Sequence, residues 1–222
     1  MARFVQYELR TTAVSAAREF YTDVLGAHVW DSNLSVISLP ERAAAQGAPA
    51  HWLGHIGVSD LETSVSRVVA AGGQRLGPSV LRDSFGAVFA VSSERADANH
   101  APVAWHLHHS TDHERSFALY AELFGWSSAG LMDLGPDLGC HRLFAWDDPA
   151  RAVGSMANTA RLPHIHPQWL FFFEAADLEA SLAKVLTQGG KVAQRVRNLR
   201  GDFLAACADP QGGAFGLYQF AR

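Results

Sequence analysis

The side chains able to do chemistry crowd one part of the chain. Eight of the eleven histidines fall between His100 and His166, and three of them share one apolar run, Trp105-His106-Leu107-His108-His109. Side chains alternate between the faces of a strand. His106 and His108 therefore share one face, with Cβ atoms about 7 Å apart, and Trp105, Leu107 and His109 share the other. A His-x-His pair chelates a transition metal once a third ligand arrives; otherwise its imidazoles are hydrogen-bonded, partly buried polar residues, the reading the run favours. His109 is the candidate general acid or base, working near neutral pH. His141, His164 and His166 fall in or beside longer loops. Other chemistries find no support. No G-x-S-x-G is present, and Cys140 and Cys207 have no histidine at a recognisable spacing and read as small core residues. The two lysines, Lys184 and Lys191, suit a helix surface and a turn rather than a Schiff base. Gly72-Gly73 and Gly189-Gly190 close helices and do not form a phosphate loop.

The elements that must position these residues appear when the chain is compared with itself. Residues 13–26 (AVSAAREFYTDVLG) match 112–125 (DHERSFALYAELFG), so that Tyr21 falls on Tyr120 and Gly26 on Gly125. Residues 60–73 (DLETSVSRVVAAGG) match 177–190 (DLEASLAKVLTQGG), and 83–89 (DSFGAVF) match 209–215 (DPQGGAF). Three ordered matches mark a duplication: a first module over 1–96, a second over 101–222, and a polar joint from Glu94 to Pro102. Each module starts with a strand (Phe4–Leu9; Val103–His108) and an amphipathic helix ended by glycine. Strands are predicted at 28–31, 34–39, 141–146 and 151–156. A second half follows, with an apolar strand (Trp52–Val58; Trp169–Phe173), a helix capped by Asp60 or Asp177, and a last strand near 86–92 or 214–220. Glu8 lies on the first strand at the face matching that of His109, which makes it the second candidate acid–base residue. Helices on one face leave the other to enclose a cavity.

Composition narrows the partners. With 48% hydrophobic and 18% charged residues, the 222-residue chain supports a sizeable core rather than disorder. A net charge of −4 without a basic run gives no footprint for nucleic acid. No apolar span approaches about 20 residues, so no membrane helix is expected, and with no apparent signal peptide the expected location is cytoplasmic. Six tryptophans and thirteen phenylalanines provide core and, in part, an aromatic wall suited to a flat or apolar ligand.

The helix ending Phe20-Tyr21…Leu25-Gly26, the two DLE…GG helices, the D-P-x-G-x-x-F approach to the last strand, and the segments Ala50-His51-Trp52 and Pro167-Gln168-Trp169 together resemble the vicinal oxygen chelate superfamily. That superfamily includes glyoxalase I, extradiol dioxygenases and bleomycin resistance proteins, and the resemblance extends over nearly the whole chain. It implies an α+β fold of tandem βαβββ modules, with cupped mixed sheets and helices on the outer face. It also implies a divalent metal held by His, Glu or Gln. The corresponding positions here are Gln6, Leu53, Trp105 and Leu170 on first strands, and Ala90 and Gly216 on last strands; only Gln6 could coordinate anything. The expectation is a small-molecule binding protein with a degenerate metal site and no cofactor, acting as a monomer or homodimer on a small hydrophobic or aromatic ligand. Its ligand-binding candidates are Gln6, Trp105, Leu107 and Tyr218. The alternative is a lyase, isomerase or ring-cleaving dioxygenase with a divalent transition metal at a displaced, histidine-containing site.

Overall fold

The structure, a computed structural model, describes residues 2–93, 103–198 and 201–221. The predicted joint from Glu94 to Pro102 lies outside the described residues. The first copy runs β1 (Phe4–Thr11), α1 (Val14–Leu25), β2 (Leu34–Ser38), a short helix α2 (Glu41–Ala45), β3 (His51–Gly57), α3 (Leu61–Ala70), β4 (Gln74–Arg75), β5 (Val80–Arg82) and β6 (Val88–Ser92). The second runs β7 (Val103–His109), α4 (His113–Phe124), β8 (Ser127–Asp133), β9 (Cys140–Ala145), β10 (Gly154–Ala157), β11 (Gln168–Glu174), α5 (Leu178–Thr187), β12 (Lys191–Arg197), β13 (Phe203–Ala208) and β14 (Ala214–Gln219). Among the described residues β1–β6 form one mixed sheet and β7–β14 another, so the class is α+β as predicted. No helix of the described residues is long and apolar enough to cross a membrane.

Local chemistry explains the boundaries. Asp60, Asp112 and Asp177 each accept a backbone N–H three residues on, at 2.9–3.1 Å, and so start α3, α4 and α5. Residues 28–31, predicted as a strand, form part of a 3-10 turn over Ala27–Asp31 instead. Gly26 leaves α1 at φ 97°, and the Val29 amide turns back to its carbonyl at 3.3 Å, closing the turn before a ladder can form. Cys140, expected in the core, opens β9 exposed, whereas Cys207 is buried and burial pushes its thiol up to about 12.

The chain packs as two compact units, each drawing on both copies of the repeat. The first holds residues 2–6, 54–93 and 105–169. In it β3 pairs parallel with β6, which runs antiparallel to β5, and β7 pairs parallel with β10, which runs antiparallel to β9. Its core is aromatic, with Trp126 stacked on Phe144 at 4.7 Å and on Tyr120 at 5.1 Å. The Arg67 guanidinium of α3 donates to the Leu123 and Glu122 carbonyls at the end of α4, where the helix dipole favours a cation. The second unit holds residues 7–53 and 170–221 with 103–104. Here β1 pairs parallel with β2, and β11, β14, β13 and β12 form a ladder. Lys184 of α5 donates to the Asp23 carbonyl of α1 at 2.7 Å, repeating the role of Arg67.

Candidate functional site

The register of β7, β10 and β9 builds a polar face within the first unit. Leu107 pairs with Ser155 and His109 with Ala157, while Ser155 pairs with Leu143 and Ala157 with His141. Period-2 alternation therefore puts Trp105, Leu107, His109, His141 and Ser155 on one face. Trp105 and Leu107 are half-exposed on it, whereas His109 and His141 are buried. His109 Nδ1 meets Thr159 Oγ1 at 2.6 Å. The Trp105 indole can only donate, so Ser155 Oγ accepts from it at 3.3 Å, and the same hydroxyl meets His141 Nδ1 at 3.2 Å. His141 Nε2 is buried and makes no hydrogen bond. Burial pushes His141 down to about 4, aided by His113 and opposed by the Leu138 carbonyl. Burial likewise lowers His109 to about 3, with His108 and His141 adding to the effect. Both rings are neutral at pH 7: hydrogen-bonding groups rather than cations.

The opposite face of β7 carries His106 and His108, toward the helices as parity predicts. His106 Nδ1 meets the Val153 carbonyl at 2.9 Å and its ring stacks on Phe4. His108 Nε2 donates to Asp83 Oδ2 at 2.9 Å, which leaves its Nδ1 buried without a partner. Tyr120 donates to the same oxygen at 3.0 Å and accepts from Trp169 Nε1 at 3.0 Å, while Asp83 Oδ1 takes the amides of Phe85 and Ala87. The second unit repeats this chain: Trp52 Nε1 donates to Tyr21, Tyr21 to Asp209 Oδ2, and Asp209 Oδ1 accepts from Gln211 and Gly213. Sequence comparison aligned the tyrosines and aspartates but gave no sign that they bond one another.

The remaining predicted residues stand on other strands, β1 and β14. Gln6 is half-buried in the first unit. Glu8 belongs to the second unit, where Arg10 Nε donates to it at 2.6 Å. Tyr218, also in the second unit, donates to Asp202 at 2.6 Å. Ser155 and Thr159 were missed, and His141 was read only as a loop-side residue. Their spacing gave no signal until β9 and β10 were registered against β7.

The residues at the superfamily's metal positions do not fit a divalent ion. Leu53, Ala90 and Leu170 are buried apolar residues. In the second unit a Cβ on Gly216 would overlap the Phe172 ring, so an aromatic side chain fills the space a carboxylate would need. Among the described residues no group of three His, Cys, Asp or Glu side chains is placed to hold a metal.

Comparison with known proteins agrees with the architecture. No family model matches the chain. It is 25% identical to a curated protein of Mycobacterium tuberculosis described as "Putative glyoxylase CFP32", over 95% of this chain and 92% of that one. Among solved structures it is similar to the 2,3-dioxygenase LapB of Pseudomonas sp. KL28, with TM-score 0.61, 12% identity, and 99% and 92% of the two chains covered. It is also similar to the Mn(II)-bound glyoxalase of Novosphingobium aromaticivorans, with TM-score 0.58, 11% identity, and 99% and 83% covered. The repeated motifs, the two mixed sheets and the near-full-length similarity are consistent with the vicinal oxygen chelate superfamily: the chain is similar to glyoxalase- and dioxygenase-like proteins.

Proposed function

We propose that the protein binds a small apolar or aromatic molecule on the Trp105–Leu107–His109–His141 face, without a metal. The observation that carries this reading is the contrast between two sets of positions. Those that would hold the ion are, Gln6 aside, without a ligating side chain and, at Gly216, sterically filled. The strand face of the second repeat instead offers a half-exposed indole, a leucine and a buried His141 Nε2 without a hydrogen-bond partner. Apolar lining with one polar ring nitrogen suits a flat molecule carrying a phenolic hydroxyl, which can bond the ring in either tautomer. His109 beside Thr159 completes the polar end as a neutral hydrogen-bonding group.

The test is a titration followed by tryptophan fluorescence, with 4-nitrocatechol as probe. Saturable quenching is expected, weakened about 10-fold in Trp105→Ala and about 5-fold in His141→Ala. Quenching that persists at full affinity in both variants would place the probe elsewhere and end the proposal.

A further inference from the structure

We infer that the first repeat carries a separate binding site for a small hydroxycarboxylate, built in the second unit by Arg10, Ser35 and His51. This site goes beyond the function proposed above and does not depend on it.

The site follows from β1 and β2. Tyr7 and Leu9 point into the core, so Glu8 and Arg10 share the opposite face. Ser35 lies directly across from Glu8 on the neighbouring parallel strand, on that same face. Glu8 engages Arg10 at Nε, 2.6 Å away, with the two side chains only 11% and 17% exposed. This contact holds the guanidinium plane and leaves its far edge available. Among the described residues neither Nη group of Arg10 meets an acceptor. The Nη groups reach solvent, and a carboxylate fits that fork with two parallel hydrogen bonds.

Two neighbours define the rest of the ligand. Ser35 Oγ is buried and makes no hydrogen bond, so it is a second donor for the carboxylate. His51 stands close enough for the charges of Arg10 and Glu8 both to act on it. Its Nδ1 meets the Pro49 carbonyl at 3.0 Å, a partner that only accepts, so the proton sits there and Nε2 is an acceptor. Two donors and one acceptor call for a ligand with a carboxylate and a hydroxyl. Glu8 is a positioning residue here, because it orients Arg10 through Nε.

Glycolate is the probe, with acetate, which lacks the hydroxyl, and glycolamide, which lacks the charge. Arginine side-chain NMR signals are followed in the full chain. Glycolate is expected to saturate near ~1 mM, acetate to bind about 3-fold more weakly, and glycolamide to leave the signals still. Arg10→Lys keeps the charge and the ion pair with Glu8 but loses the fork, and is expected to cost about 10-fold. Ser35→Ala is expected to cost about 3-fold, whereas Trp105→Ala and His141→Ala leave glycolate binding unchanged. No saturation below ~50 mM, equal binding of glycolate and glycolamide, or undiminished affinity in Arg10→Lys would each overturn the inference. Failure of the 4-nitrocatechol titration would not touch it.

Discussion

The two buried aspartates, Asp83 and Asp209, sit at equivalent places in the two units, and their carboxyls are shifted in opposite directions. Each accepts from a tyrosine that in turn accepts from a tryptophan, and each ties down its own turn through two amides. The difference is one residue on a first strand. Asp83 faces His108, whereas the position equivalent to His108 in the other copy is Leu9, which is fully buried. Burial raises both carboxyls. At Asp83 the hydrogen bonds and charge of His108, with Tyr120 and the Phe85 amide, overcome it and hold the group below the usual carboxylate range. At Asp209 burial prevails over the bonds from Gly213, Tyr21 and Gln211, and the group is raised from its ordinary value. The same scaffold therefore lowers one carboxyl and raises the other, and a single imidazole separates them.

Acid should strain the two units unequally, and this is the largest expected effect. His106, His109 and His141 of the first unit are held near 4, 3 and 4, below the ordinary value of 6.5. A depressed folded pKa gives stability that is fully present above 6.5 and is lost as the pH falls toward 4. Each such histidine costs the fold about 1.4 kcal/mol per pH unit across that window. Hydrogen exchange at pH 7 and pH 5 should show the first unit loosening more; uniform protection would break the comparison.

Next in size, Asp83→Ala should cost ~3–5 kcal/mol in urea unfolding, because it strands His108, Tyr120 and two amides. Asp209→Ala, with no imidazole to strand, should cost ~1–3 kcal/mol. His108→Leu copies the other unit and should cost ~1–3 kcal/mol. It should also raise the Asp83 carboxyl, as followed by carboxyl NMR. A carboxyl unmoved in this variant would mean that the imidazole does not set the difference. The smallest effects are expected from Tyr21→Phe and Tyr120→Phe, at about 1 kcal/mol each.

The fold was largely legible because its signals are local. The aspartate caps, the closing glycines and the alternation of residues 105–109 each depend on neighbours in the chain. The repeat then revealed two equivalent aspartate–tyrosine pairs, yet not that they bond, since Tyr21 and Asp209 lie 188 residues apart. The site was half legible. Parity put Trp105, Leu107 and His109 on one face, but Ser155 and His141 join them only through strand register, which composition does not encode. The Phe172 ring over Gly216 was hidden for the same reason: β11 and β14 meet only once folded.

The central claim, ligand binding without a metal, is tested most directly by titrating one preparation twice with 4-nitrocatechol. The first titration follows exhaustive dialysis against EDTA, and the second follows incubation with Mn(II), Fe(II) and Zn(II) and removal of excess ion. The account predicts equal affinity in both, no change in the probe's visible absorption that would mark chelation, and no stoichiometric metal retained. Binding that vanishes with EDTA and returns with one ion, together with a chelate absorption band, would contradict it.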